Sequence, residues 1–135
     1  MPKGNLKPKR EKMRPKYNFF LNTKYALSGL CEIYKNETSF KIELFFVVIL
    51  SPVCLLLSID LALRLWLISS LLFILFAECV NSALERLTDL ACKQIHPLAK
   101  AAKDASSAAV FIAITNAAIA WLIVLCELAR LKGML

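Results

Sequence analysis

The fold turns on Leu65–Leu90, LWLISSLLFILFAECVNSALERLTDL. Its first thirteen residues, Leu65 to Ala77, carry no charge; Glu78, Asn81, Glu85 and Asp89 then follow at offsets of zero, three, seven and eleven. At about 3.6 residues per turn these four share one helical face. A membrane-spanning helix needs about 20 mostly apolar residues. This stretch reaches that length only by running on through Cys79, Val80 and Ala83, which carries Glu78 and Asn81 into the membrane or its inner interface. Three acids and an amide in such a place are costly unless paired, hydrated or bound to metal. The column is therefore either a structural stripe between packed helices, with Arg86, Lys93 or Lys103 as counter-ions, or a functional cation or proton site.

Two further runs flank it. Leu44 to Ile59 has no charge over sixteen residues, and Ala105 to Cys126 has none over twenty-two. The third run spans outright, and the first does so once Ile42 and Leu61 to Leu63 are added. With 59% of 135 residues hydrophobic and only 20% charged, little remains for a separate soluble core. The chain is thus expected to be one domain at most.

Met1–Lys16 reads as a disordered basic arm, followed by one membrane domain over 17–135. No apolar stretch of signal-peptide length follows the arm directly. Over 17–35, Tyr17, Phe20, Leu21, Leu27, Leu30 and Tyr34 recur mostly three, four or six apart, which predicts an amphipathic helix along the interface. Asn36-Glu37-Thr38 is a break before the first span. Spans are expected at about 41–61, 63–90 and 104–127, with Pro52 tolerated as a kink and His96-Pro97 in the second connection. The fold class is all-α membrane protein, three spans preceded by an interfacial helix.

Charge sets the expected orientation. Eight Lys or Arg lie between Met1 and Tyr34 and four more between Arg86 and Lys103, against one in the Asp60–Arg64 turn. The positive-inside rule puts the N-terminus and the second connection in the cytoplasm. The net charge of +7 is read as attraction to anionic lipid; no nucleic-acid-binding fold accompanies it. Five cysteines without metal-ligand spacing read as packing residues or free thiols. Three glycines, Gly4, Gly29 and Gly133, make no glycine-rich phosphate loop.

The run Glu78-Cys79-Val80-Asn81-Ser82-Ala83-Leu84-Glu85-Arg86-Leu87-Thr88-Asp89 resembles the signature of the prokaryotic diacylglycerol kinases: Glu, Asn three later, Ser-Ala, an aliphatic, Glu, and Asp four later. Thr88 departs from it, since an aliphatic residue is usual there. The likeness continues in Asn36-Glu37, Leu67-Ile68-Ser69-Ser70, Lys103-Asp104 and Ser107-Ala108-Ala109-Val110, over roughly Tyr25 to Cys126.

The resemblance implies a homotrimeric kinase of the bacterial inner membrane, making phosphatidic acid from diacylglycerol with ATP and Mg2+. By the same likeness Glu78 is the general base, and Glu37 and Glu85 are the metal carboxylates. Tyr25, His96, Lys103 and Asp104 contact ATP; Asn81 and Asp89 support the polar face. Ser107 and Trp121, with Glu78, meet the lipid. Where the family has an N-terminal arginine near the nucleotide, this chain has Asn18, leaving Arg14 or Lys16 as stand-ins. The residues agree with phosphoryl transfer, which needs positioning and charge neutralisation more than covalent catalysis. Two alternatives stay open at this level: undecaprenol as acceptor, and a non-enzymatic membrane protein with an acidic ion path. Glu37 and Lys103-Asp104 speak against the second, and the second and third spans favour diacylglycerol over undecaprenol.

Overall fold

A computed structural model describes residues 17–131, in four helices. The expected basic arm, with Arg14 and Lys16, lies outside the described residues.

Helix α1 runs Phe19–Asn36. Asn18, in extended conformation, starts it by accepting a hydrogen bond from Leu21 N at 3.2 Å, the usual service of an N-cap side chain. Its apolar residues Phe20, Tyr25, Leu27 and Tyr34 are exposed and only Ile33 is buried, as suits a helix whose apolar side faces lipid. A single extended residue, Glu37 (φ −104°, ψ 119°), separates it from α2, Thr38–Leu56. Glu37 makes no side-chain cap to α2, so its carboxylate is free for other partners.

Pro52 sits inside α2, which continues past it to Leu56. The helix stops short of the expected 61 because the outer turn has its own fastenings. Arg64 Nη2 donates to Leu57 O at 2.9 Å, and Asp60 Oδ2 accepts from Ala62 N at 2.8 Å to open the next helix. That helix, α3, spans Leu61–Ala91. Its 31 residues rise about 46 Å, longer than a hydrocarbon core of about 30 Å is thick.

Helix α4, Pro97–Leu131, begins earlier than the expected Lys103 or Asp104. Proline suits the first helical position, where its missing N–H is not needed, and His96 Nδ1 accepts from Leu98 N at 3.2 Å in the manner of a cap. A proline taken as a connection marker is here the start of the helix.

Helices α2, α3 and α4 are each long and apolar enough to cross a membrane. Between helices in lipid there is no hydrophobic gain to be had, so close van der Waals packing decides. The buried positions of α4 are small or modest: Ser106, Ala113, Ala117, Ala120 and Val124. They recur at helical spacing and lie against α3, whose buried residues include Leu67, Ser70, Leu71, Ala77 and Ser82. Val47 and Cys54 of α2 join the same core. Phe45, Phe73, Phe76 and Phe111 point outward, as side chains do that meet acyl chains or another subunit.

Candidate active site

The polar column of α3 is met by α2 at Glu78 and by α4 at Asn81 and Asp89. Glu78, 3% exposed, accepts on Oε1 from the Ser39 hydroxyl of α2. Asn81 Oδ1 accepts from Ser106 Oγ of α4 at 2.7 Å, and its Nδ2 lies 3.4 Å from Glu85 Oε1. Asp89 pairs with Lys103 of α4 at 2.7 Å. A buried polar group left unmade is expensive, and the bonds from Ser39 and Ser106 are how α3 carries Glu78 and Asn81 against its neighbours.

Arg86 is turned off the column. One guanidinium nitrogen pairs with Glu32 of α1, and Nη2 lies 3.2 Å from Glu37 Oε1. Of the counter-ions expected for the column, Lys103 thus meets Asp89, whereas Arg86 serves the α1–α2 corner.

The other predicted residues spread around this centre. Asp104 is exposed and pairs with Lys100 at 2.7 Å, so Lys103 and Asp104 make separate ion pairs. His96 and Tyr25 are exposed on the second connection and on α1. Ser107 is also exposed; the serine facing the column is its neighbour Ser106. Trp121 lines an apolar groove of about 440 Å3 between α2, α3 and α4, together with Ser39, Glu43, Phe46, Leu71 and Ile114. Its indole N–H is buried there without a partner.

Three residues of this centre were absent from the sequence-based site: Ser39, Ser106 and Glu43. Glu43 stands one turn along α2 from Ser39, within electrostatic reach of Glu78, and its Oε2 is buried without a hydrogen-bond partner. The signal available was its spacing of six from Glu37 and four from Ser39, just where an apolar run begins.

Among the described residues, no three of His, Cys, Asp and Glu converge to hold a metal on protein ligands alone. Magnesium asks for less, keeping waters and substrate phosphates beside one or two carboxylates. Glu37 and Glu85 are partly exposed hard oxygen donors, one held near Arg86 and the other near Asn81.

A buried carboxylate, an adjoining ladder of acids and bases, and an apolar groove between three spans define an all-helical membrane protein with a polar site at one end. The comparisons make the class specific. The family model described as prokaryotic diacylglycerol kinase matches residues 24–125. A diacylglycerol kinase of Haemophilus influenzae is 40% identical over 100 residues, covering 74% of this chain and 85% of that protein. The one from Pseudomonas aeruginosa is 36% identical over 103 residues, covering 76% and 84%. That of Escherichia coli K12 is 38% identical over 101 residues, covering 75% and 83%. This chain belongs to the prokaryotic diacylglycerol kinase family.

Proposed function

We propose that this chain transfers the γ-phosphoryl group of ATP to the primary hydroxyl of diacylglycerol, giving phosphatidic acid and ADP, at the cytoplasmic face of a bacterial inner membrane. The observation that carries the reading is the buried Glu78 carboxylate, bonded to a serine that itself lines an apolar groove between the spans. Membership of the family and the names of the three relatives support it.

In this mechanism diacylglycerol lies with its acyl part along the groove and its hydroxyl at the Ser39 end. Glu78 takes the proton of that hydroxyl. The freed oxygen bonds to the γ-phosphorus as the bond from phosphorus to the β,γ-bridging oxygen breaks, and ADP leaves. Trp121, whose N–H faces no protein acceptor, donates to a lipid oxygen, and Ser107 contacts the lipid from α4. Glu37 and Glu85 would hold Mg2+, which when bound neutralises charge on the phosphates. Lys103 exchanges Asp89 for phosphate oxygen, and Asp104, His96 and Tyr25 hold the rest of the nucleotide. Asn81 keeps Glu85 oriented through its amide. The N-terminus is cytoplasmic, and the outward phenylalanines pack against a second and third copy in a homotrimer.

The test is transfer of label from γ-labelled ATP in detergent to diacylglycerol and, separately, to undecaprenol. Label in phosphatidic acid is the expected result. Transfer to undecaprenol alone would change the acceptor, and transfer to neither lipid would overturn the kinase reading.

A further inference from the structure

Arg86 is the only basic residue in Leu65–Leu90, and it reaches away from its own helix to residues 54 and 49 positions earlier. Its guanidinium sits between two carboxylates, with one nitrogen on Glu32 Oε2 and another 3.2 Å from Glu37 Oε1. Glu32 is itself held, its Oε1 accepting from Asn36 Nδ2 at 2.9 Å. One positive charge thus answers two negative ones across the corner where α1 meets α2.

We propose that Arg86 is a shared counter-ion that sets how readily Glu37 is given up to a divalent cation, with Glu32 drawing the arginine away from it. The inference rests on reading Glu37 as a metal carboxylate. An oxygen engaged by a guanidinium is withheld from a cation, and a positive charge at that distance also repels one. Glu32 offsets both effects by taking one arm of the planar fork. Arginine suits this position because its fork spans two carboxylates, whereas lysine presents a single point charge. The pairs are partly open to solvent, with side-chain exposures of 40% for Arg86, 53% for Glu32 and 28% for Glu37, so the effect is a modest bias and not a lock. Arg86 and Glu32 are positioning residues here, acting through Glu37 and not on substrate.

The consequence is a pair of effects opposite in sign. If the arginine only docks α1 on α3, removing either member of the network can weaken the site but not improve it. If it competes for Glu37, removing the arginine tightens cation binding and removing Glu32 weakens it.

The experiment titrates Mn2+ into the detergent-solubilised full chain and counts the free ion by its solution EPR signal. Arg86→Gln is expected to tighten Mn2+ about two- to fivefold and Glu32→Gln to weaken it by a similar factor, the range of a solvent-screened ion pair. Arg86→Lys keeps a charge but presents one point in place of a fork, so it is expected to fall between the parent chain and Arg86→Gln. Glu37→Gln separates the two levels of the argument. If it leaves Mn2+ affinity unchanged, the metal reading of Glu37 fails and this inference with it. If it weakens Mn2+ while Arg86→Gln binds equally or less well, the metal reading stands and the shared counter-ion is overturned. Should Arg86→Gln not fold, Arg86→Met takes its place with the same expected tightening, and unchanged or tighter Mn2+ binding in Glu32→Gln sinks the proposal in either case.

Discussion

The Ser39 hydroxyl donates to Oε1 of Glu78, so the buried carboxylate of α3 is held by a residue thirty-nine positions earlier on α2. Ser39 stands two residues after Glu37, the extended residue that divides α1 from α2. One short break in the chain therefore presents Glu37 to Arg86 and Ser39 to Glu78.

Replacing Ser39 with alanine removes that donor while leaving Glu78 buried. A hydrogen bond to a charged group contributes about 1.5–3 kcal/mol, and part of it is expected to be lost as misorientation of the base. Steady-state assays in mixed micelles are expected to show kcat down roughly tenfold, on that scale, with the KM for ATP unchanged because no nucleotide contact is touched. An unchanged kcat would remove Ser39 from the mechanism.

The metal assignment predicts a different pattern. Glu37→Gln and Glu85→Gln are each expected to raise the Mg2+ concentration needed for half activity, or to abolish turnover. Asp89→Asn removes the partner of Lys103, so its effect is expected to be milder, falling on the KM for ATP and leaving the Mg2+ dependence alone. Titrating Mg2+ at fixed ATP reads the metal dependence of all three, and titrating ATP at saturating Mg2+ reads the KM effect of Asp89→Asn. Normal Mg2+ response in either glutamate variant would strike that residue from the metal site.

Orientation is checked without any assay of chemistry. In a cysteine-free background, a single cysteine at Gly133 is expected to react with a membrane-impermeant maleimide added from outside, and one at Gly4 to be protected until the membrane is broken. This follows from the Lys and Arg excess at the N-terminus and in the second connection under the positive-inside rule. The reverse pattern would invert the protein and move the proposed nucleotide site to the wrong side.

The three spans and the polar column were legible in the sequence because both are local: one depends on run length and the other on helical period. The break at Glu37 was legible for the same reason, as a polar interruption between two apolar patterns. What could not be read was partner choice across helices. Nothing in the sequence around Asn81 says that Ser106, and not Ser107, will face it, because a shift of one residue turns a side chain by about 100° and the register of α4 is set by its small buried stripe. The same holds for Arg86, which as a neighbour of Glu85 looked like a counter-ion to the column and instead faces Glu32 and Glu37. His96-Pro97 did mark the second connection, but α4 opens at Pro97 itself and not near Lys103, because proline suits the first position of a helix.

The sharpest expectation concerns Glu78. It lies seven residues, about two turns, from Glu85 toward the middle of α3 and is the buried member of the column. Its side-chain hydrogen bond among the described residues comes from Ser39, on the rim of the apolar groove. Glu78→Gln keeps the size of the side chain and leaves an amide oxygen to accept from Ser39, so the helices have no reason to separate. What it loses is the capacity to take a proton. General-base removal costs about 10²–10⁴ in rate, and lipid phosphorylation is expected to fall by that much. ATP affinity is expected to be retained, since Lys103, Asp104, Glu37 and Glu85 are unchanged. Two measurements keep chemistry apart from architecture: phosphatidic acid formation, and the oligomeric state of the same sample by size-exclusion with light scattering. Near-normal turnover would place the base elsewhere. Lost turnover in a sample that has also lost the parent chain's oligomeric state would return the column to a purely structural role, in which Glu78 and Ser39 join two helices and take no part in the transfer.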